Sequence, residues 1–393
     1  MKKRLESLDA LRGFDLLMLV AVSDLVEELA EVIDKPWMGA VMECFIHKKW
    51  EGFSPWDLVM PLFMFMAGVA IPFALRRSSS SLEGVKTEKE ASSRGGLVGA
   101  ALYWRLARRV LLLWIFGMMV QGNLLTLNPE RIYLFTNTLQ AIAVGYFFSV
   151  IIYLHTSWKT QVGIAVALLL AFWGSMEWVT IGGYGGGDYT PHGNLAEGID
   201  MMVLGRFRDT AQVIDGEIVV KASYTYTWIL SSLNFVVTVL TGVLAGEAIY
   251  NSRLIDSKFK VGTVGLLLGA GIAMVALGWT WGLVHPVIKH IWTGSMVLVS
   301  SGYCFILMGL FYWWIDCRGH NKHLTLLKVY GMNSITAYVV SHVISFRSIS
   351  KSLFFGLEQY VGDYYDFIIQ LSNVAILFLI LYILYRNKIF LRV

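Results

Sequence analysis

Long apolar stretches recur along almost the whole chain and predict membrane-spanning helices. An α-helix rises about 1.5 Å per residue, so roughly 20 apolar residues cross the hydrocarbon core of a bilayer. We therefore predict an all-α integral membrane protein, with residues 1–393 forming one transmembrane domain. The ten predicted spans are 14–33, 56–75, 110–126, 132–154, 161–182, 226–246, 261–284, 292–315, 329–346 and 366–385.

Composition supports this class and excludes several others. Hydrophobic residues make up 56% of the 393 residues, charged residues make up 15%, and the mean hydropathy is +0.59. Soluble domains carry about 25% charged residues, so a soluble enzyme and a disordered chain are excluded. The net charge of +4 comes without a basic stripe, so we expect a lipid bilayer and no nucleic acid as partner.

The distribution of Lys and Arg predicts the orientation of the spans. Cytoplasmic loops carry an excess of these residues. With the N-terminus inside, the inner segments hold most of the 32 Lys and Arg, and ten spans return the C-terminus to the cytoplasm. The segment 183–225 then lies outside. It is glycine-rich and too long for a plain connector, so it forms either a cover for a substrate or merely an ordered, small irregular cap.

The most informative segment is HKKWEGFSPWDLVMPLFMFMAG, which begins at His47. Trp50 is placed as an interface anchor, and Gly68 allows a close helix approach. Asp57 opens the second span, where its carboxylate can accept free backbone N–H groups. An ionisable residue at the mouth of a span is a functional hypothesis. The alternative is that Asp57 is only a helix cap and His47 only a loop residue.

Arginines mark the predicted inner ends of two spans. Arg12 lies where a cytoplasmic anion such as a phosphate could reach it. Arg105, Arg108 and Arg109 crowd the inner end of the third span. Plain anchoring by positive charge is the alternative interpretation for these three.

Further polar residues gather toward the outer side. Lys289 and His290 lie at the entry to the eighth span, and Asn333 lies within the ninth. His342 follows Asn333 by about 13 Å of helix, which places it at a depth similar to that of His47. Two such imidazoles could serve as base and orienter. No HxxxH, HExxH or Cys/His spacing is present, so we predict no metal site.

These residues together resemble a known family. The segments that carry the resemblance run in order from about residue 4 to 345: RLESLDALRGFDLLMLVAVSD, HKKWEGFSPWDLVMPLFMFMAG, NLAEGIDMMVLGRF, PVIKHIW and YGMNSITAYVVSHV. They look like the heparan-α-glucosaminide N-acetyltransferase family, which comprises multi-span acyltransferases with bacterial relatives. The resemblance implies a divergent bacterial branch and a location in the bacterial cytoplasmic (inner) membrane.

The resemblance implies acetyl-CoA as co-substrate and an amino group on the far side of the membrane as acceptor. His47 matches the active-site histidine of the family, and Asp57 matches the acid that follows it. Arg12 matches the arginine of the RG pair, and the later polar positions are matched by Lys289, Asn333 and His342. The family mechanism is described either as an acetyl-histidine relay, with His47 as nucleophile, or as direct transfer, with His47 as general base. Both remain open for this chain.

The candidate site therefore has three parts. The catalytic residues are His47, Asp57 and His342. The residues expected to bind the acceptor are Ser23, Asp24, Trp50, Gln140, Lys289, His290 and Asn333. The residues expected to bind acetyl-CoA are Arg12, Arg105, Arg108 and Arg109.

The chain also departs from the family pattern at positions that concern the acceptor. Ser23, beside Asp24, stands where an asparagine is expected, and Ala141, beside Gln140, stands where an arginine is expected. We therefore expect a bacterial amino sugar, a glycan fragment or a cell-wall sugar as acceptor. Glycine-rich spans such as 261–284 could pack within one chain or across a homodimer.

Two other functions compete with this interpretation. A proton-coupled transporter of a small sugar or related solute would use Asp15, Asp57 and His342, although the chain lacks the inverted repeats of many transporters. A glycan or lipid receptor would use the segment 182–226 and would not require His47.

Overall fold

The computed structural model describes residues 5–33, 35–79, 88–214, 217–220, 226–252 and 257–391. These residues are mostly helical, as the apolar periodicity predicts. Their α-helices are, in chain order, α1 (Glu6–Leu17), α2 (Ser23–Val32), α3 (Pro36–Glu43), α4 (Val59–Ser79), α5 (Glu88–Val120), α6 (Thr138–His155), α7 (Trp158–Trp178), α8 (Leu195–Leu204), α9 (Ser232–Ser252), α10 (Ser257–Trp281), α11 (Gly294–Phe311), α12 (Thr325–Met332), α13 (Ser334–Val343), α14 (Phe346–Leu353), α15 (Glu358–Val361) and α16 (Tyr365–Arg386).

Seven helical segments of the described residues are long and apolar enough to cross a membrane. They are Pro55–Leu75, Thr138–His155, Trp158–Trp178, Ser232–Ser252, Val261–Trp281, Gly294–Cys317 and Glu358–Arg386. Each coincides with a predicted span. The chain is therefore a helical, multi-pass membrane protein.

The other three predicted spans differ from the expectation for identifiable reasons. The first span, 14–33, consists of the end of α1, a π-helical turn (Met18–Val22) and α2. Its second half carries too many acidic residues for an apolar, membrane-spanning segment. The third, 110–126, overlaps the C-terminal part of α5, which ends at Val120. Arg105, Arg108 and Arg109 lie in the same helix just before this part. The ninth, 329–346, is interrupted at Asn333, whose ψ of 24° separates α12 from α13. The count of ten spans stays a prediction.

The predicted irregular cap contains regular structure. Two short antiparallel hairpins form within and beside 183–225, namely β1 (Thr180–Ile181) with β2 (Tyr184–Gly185) and β3 (Ala211–Ile214) with β4 (Glu217–Val220). Helix α8 lies between the hairpins in the chain. Residues 215, 216 and 221–225 of the predicted cap lie outside the described residues.

The described chain divides into two compact units by its internal contacts, and the single transmembrane domain stays a prediction. The first unit comprises residues 5–48, 53–59 and 307–391, and the second comprises 49–52 and 60–306. In the first unit, α1 crosses α12 at backbone contact. A Cβ atom on Gly13 would overlap the carbonyl of Leu327, and one on Gly331 would overlap the carbonyl of Asp9. Glycine at both positions is therefore what allows this crossing.

The second unit uses the same device between other helices. A Cβ atom on Gly68 of α4 would overlap the carbonyl of Val239 of α9, and one on Gly242 of α9 would overlap the carbonyl of Phe65. The expectation that Gly68 permits a close approach is thus confirmed. Gly271 of α10 packs against α11 in the same chain, and a homodimer through 261–284 stays a prediction.

We predict that Gly13→Ala destabilises the protein, because its methyl group must displace the backbone of α12. Overpacking of this kind costs roughly 1–3 kcal/mol, and rigid backbone neighbours favour the upper end. Thermal unfolding in detergent measures the effect. Gly163→Ala in α7 is the control, since nothing lies within 4 Å of its added Cβ and alanine is the better helix former. Equal unfolding midpoints for the two variants would contradict the tight crossing.

Candidate functional site

The 3₁₀ turn that begins the second span is capped by side chains at its own N-terminus. Ser54 is the N-cap of the 3₁₀ turn Pro55–Leu58, with Pro55 at the first position and Asp57 at the third. The Asp57 carboxylate Oδ2 accepts hydrogen bonds from the Ser54 backbone N–H and hydroxyl, both at 2.9 Å. Serine, proline and an acidic residue in this order satisfy the unpaired N–H groups of a helix start.

The second oxygen of the same carboxylate pairs with His47. Asp57 Oδ1 lies 2.7 Å from His47 Nδ1. Asp57 is 1% exposed, whereas the His47 side chain is 31% exposed. A carboxylate at Nδ1 favours the tautomer protonated there, which leaves the Nε2 lone pair for chemistry. The sequence left a functional role and a helix cap as alternatives for Asp57, and the structure shows the cap together with a contact to His47.

Aromatic rings adjoin this pair within the first unit. The rings of Phe45 and Trp56 lie 5.5 Å apart, and those of His47 and Trp56 lie 6.4 Å apart. These rings make part of the surroundings of His47 apolar, and apolar surroundings strengthen its electrostatic interaction with the carboxylate.

Ser23 and Asp24 lie in a polar network of the first unit. The Ser23 hydroxyl lies 3.1 Å from Asp24 Oδ1, and Asp24 Oδ2 accepts a hydrogen bond of 2.9 Å from the buried amide of Gln370. Asn373 donates to Gln370 at 3.1 Å. Sequence reasoning missed Gln370 and Asn373, although two amides within the last apolar helix were the available signal.

Asn333 and His342 mark the two ends of α13. The Asn333 amide is buried and donates to the Val329 carbonyl at 3.0 Å. His342 is exposed, and its Nδ1 lies 2.8 Å from the Tyr338 carbonyl of its own helix. Asn333 thus lies at the helix break. Its role in binding the acceptor and the catalytic role of His342 both stay predictions.

Trp50, Lys289 and His290 come together in the second unit. The Trp50 and His290 rings stack with centroids 5.3 Å apart at 16°, and the Tyr226 ring stacks on His290 at 4.8 Å. Lys289 is buried, and its Nζ lies 5.9 Å from the centre of the Tyr226 ring. Trp50 and Tyr226 are partly buried, whereas Lys289 and His290 are buried, and the role of this cluster in binding the acceptor stays a prediction.

The predicted acetyl-CoA residues are distributed over both units. Arg12 lies in the first, and the other three lie on α5 in the second. Arg105 donates to the Ala101 carbonyl of its own helix at 3.2 Å, and Arg109 stacks on the Tyr146 ring at 4.0 Å. Arg108 is exposed. The assignment of these arginines to acetyl-CoA stays a prediction.

Gln140 serves the start of α6. Its side-chain oxygen accepts from the backbone N–H groups of Thr136 and Asn137, and its amide donates to the Leu134 carbonyl at 2.6 Å. These bonds account for a buried side chain without a ligand. A role for Gln140 in binding the acceptor stays a prediction.

The segment NLAEGIDMMVLGRF is held by buried charges. Arg208 forms an ion pair with Glu197. Asp200 accepts hydrogen bonds from the backbone N–H groups of Trp228 and Ile229, at 2.7 and 2.9 Å. Burial raises the pKa of Asp200 to about 7. These contacts tie α8 to the residues that precede α9, so the segment is ordered by its own polar groups.

No protein-family model matches the chain. Heparan-alpha-glucosaminide N-acetyltransferase of Homo sapiens is 24% identical to it over 437 residues. The chain is a distant relative of this human transferase. The similarity covers 98% of the chain and confirms the resemblance found in the motifs. The chain spans 59% of the length of the human protein.

The described residues contain a further polar group that the N-acetyltransferase motifs did not indicate. His285, Tyr189 and Glu177 form a hydrogen-bonded chain in the second unit. Their positions are far apart in the sequence and follow no spacing rule. Within the described residues, no group of three His, Cys, Asp or Glu side chains could hold a metal ion.

We predict that Ser54→Ala lowers the free energy of unfolding by about 0.5–2 kcal/mol, because it removes the N-cap hydroxyl from a buried carboxylate. Chemical or thermal unfolding in detergent measures this loss. Ser157→Ala is the matched control, since Ser157 is the N-cap of α7 and makes no capping hydrogen bond with its side chain. A larger loss at Ser157 than at Ser54 would argue against the capping box as a stabilising element.

Proposed function

We propose that this protein transfers an acetyl group from cytoplasmic acetyl-CoA to the amino group of an amino sugar or glycan on the extracytoplasmic side of the bacterial inner membrane. The observation that carries the proposal is the His47–Asp57 pair, with Nδ1 and Oδ1 2.7 Å apart. The distant relationship to an N-acetyltransferase supports a transferase of this kind. Both termini are proposed to be cytoplasmic.

The pair supplies what acetyl transfer to an amine requires. In direct transfer, His47 Nε2 takes a proton from the ammonium or amine of the acceptor, and the amine nitrogen attacks the thioester carbonyl. The C–S bond breaks as the C–N bond forms, and the proton leaves with the CoA thiol. Asp57 holds the imidazole in orientation and stabilises the imidazolium, the role of the acid in a catalytic triad.

The relay uses the same atoms in a different order. His47 Nε2 attacks the thioester carbonyl first and releases CoA, and the acceptor amine then displaces the imidazole. Both routes need the lone pair of Nε2 and a carboxylate at Nδ1. The two differ in one measurable respect, since only the relay releases CoA stoichiometrically without an acceptor.

The other candidate residues have roles consistent with this chemistry. We assign binding of the CoA phosphates to Arg12 and to the arginines of α5, because guanidinium groups bind phosphates in bidentate fashion. In the second unit we assign the acceptor to the ring stack of Trp50 and His290 and to Lys289. Ser23 and Asp24 of the first unit stay separate candidates for binding it. His342 remains a candidate second histidine of the reaction.

Asp15 favours a second candidate function, a proton-coupled transporter. It is 2% exposed, and its Oδ2 makes no hydrogen bond within the described residues. A buried carboxylate in a membrane helix is a feature of proton relays. The relationship to a transferase gives the first candidate priority.

We predict that purified protein in detergent releases CoA from acetyl-CoA when an amino-sugar acceptor such as glucosamine is added, and that His47→Ala abolishes this release. The alanine has no lone pair for either route. His155→Ala is the control, since that exposed histidine contacts Tyr103 at the predicted inner side. Acceptor-dependent release that survives in His47→Ala would refute the assignment. Solute uptake by proteoliposomes without CoA release would favour the transporter.

We also predict that Asp57→Asn lowers kcat by roughly 10²–10⁴-fold, the usual contribution of a positioned acid–base group. The amide retains the volume of the carboxylate but cannot stabilise an imidazolium. Ser54→Ala is the control, because it weakens the cap while leaving the His47–Asp57 contact in place. Comparable kcat values for Asp57→Asn and the wild type would show that the carboxylate serves only as a cap.

A further inference from the structure

A partly buried hydrogen-bonded chain connects three side chains of the second unit that the proposed mechanism does not use. His285 Nδ1 lies 2.8 Å from the Tyr189 hydroxyl, and that hydroxyl donates to Glu177 Oε1 at 2.8 Å. The Trp173 indole N–H donates to the same carboxylate oxygen at 3.1 Å. The three members come from the C-terminal end of α7, from the predicted cap, and from the segment between α10 and α11.

The direction of each hydrogen bond in this chain is determined. The first backbone N–H of α11, that of Gly294, donates to His285 Nε2 at 2.9 Å. A neutral imidazole that accepts at Nε2 carries its proton on Nδ1 and must donate it to Tyr189. Burial lowers the pKa of His285 to about 3, so the neutral form is the one present at physiological pH. The chain therefore runs from His285 through Tyr189 to Glu177.

The backbone of Tyr189 holds Trp50. The Trp50 indole N–H donates to the Tyr189 carbonyl at 2.9 Å, and the indole stacks on His290. The residues around Trp50 are fixed as well, since Gly52 N–H donates to the Val287 carbonyl at 2.8 Å. The orientation of the indole thus depends on where the Tyr189 backbone lies. The hydroxyl of Tyr189 is in turn held by two hydrogen bonds, one with His285 and one with Glu177.

Apolar side chains could fill the volume of these three residues at a lower cost in free energy. Buried polar groups destabilise a protein unless every donor and acceptor is satisfied. Here the hydroxyl of Tyr189, both nitrogens of His285 and one oxygen of Glu177 are satisfied, and satisfied networks of this kind rigidify their surroundings. The benefit that offsets the cost is a fixed position for the segment that contacts Trp50.

We propose that Glu177, Tyr189 and His285 are positioning residues, which hold the Trp50 indole as a wall of the acceptor site for the pyranose ring of an amino sugar. This proposal rests on the proposed function. An indole is a surface that suits the C–H face of a sugar, and Trp50 is only partly buried, with His290 stacked on one of its faces. None of the three touches the reacting atoms. Their loss therefore affects binding of the acceptor rather than the chemical step or binding of acetyl-CoA.

The test compares Tyr189→Phe with Tyr184→Phe in the full chain. The first variant removes the central hydroxyl and breaks both bonds of the chain. The second removes a hydroxyl from the neighbouring hairpin, where the Tyr184 ring packs on Gly198. In Tyr189→Phe we expect the KM for glucosamine to rise about three- to tenfold, the loss of one or two hydrogen bonds, with kcat and the KM for acetyl-CoA unchanged. Tyr184→Phe should match the wild type.

Two substitutions of Glu177, the last member of the hydrogen-bonded chain, add a second readout. Glu177→Gln keeps an oxygen that can accept from Tyr189 and should retain the wild-type KM for the acceptor. Glu177→Leu has no acceptor and should behave like Tyr189→Phe. Equal effects of the glutamine and leucine variants would overturn the positioning role, as would a fall in kcat at constant KM.

Amide hydrogen exchange separates this proposal from the proposed function. Without any substrate, peptides covering residues 49–53 should exchange several-fold faster in Tyr189→Phe than in the wild type and in Tyr184→Phe. Unchanged exchange would overturn the positioning role even if the enzyme is an acetyltransferase. Faster exchange in a protein that transfers no acetyl group would uphold the mechanical link, while the proposed function and the acceptor wall would fall.

Discussion

The burial of the Asp57 carboxylate is the constraint on which the candidate site depends. A carboxylate that is 1% exposed must have its oxygens hydrogen-bonded, because removal from water without partners costs several kcal/mol. Ser54 satisfies one oxygen and thereby starts the second span. His47 satisfies the other and thereby acquires a fixed tautomer. One side chain therefore contributes to both a helix start and a candidate catalytic imidazole.

The membrane imposes a related constraint on the helices. Lipid offers no hydrophobic driving force between spans, so close packing and buried hydrogen bonds must hold them together. Glycines at the crossings of α1 with α12 and of α4 with α9 meet the first need. The polar network at Asp24 and the buried charges around Asp200 meet the second. Polar residues in this chain thus stabilise the structure in many places, and polarity alone does not identify the functional ones.

This distinction explains how much could be predicted from the sequence. Apolar stretches identified seven spans because this signal is local, and the segment that begins at His47 was singled out with both His47 and Asp57 in it. The break at Asn333 was missed because the stretch 329–346 is apolar enough on average to be read as one continuous span. Tyr189 and His285 were missed because 96 residues separate them. Gln140 was assigned to the acceptor from a motif; its hydrogen bonds place it in the capping box of α6, and its role toward the acceptor stays a prediction.

The surroundings of two histidines show why one is assigned to chemistry and the other to position. His47 faces a carboxylate and is partly exposed, so its neighbours favour the imidazolium that a base must become. His285 faces a backbone N–H at one nitrogen and a hydroxyl at the other, and burial further favours its neutral form. A group that must gain a proton during a reaction needs the first setting. A group that must keep one hydrogen-bonding pattern throughout the reaction needs the second, because protonation of Nε2 would leave the Gly294 N–H without its acceptor.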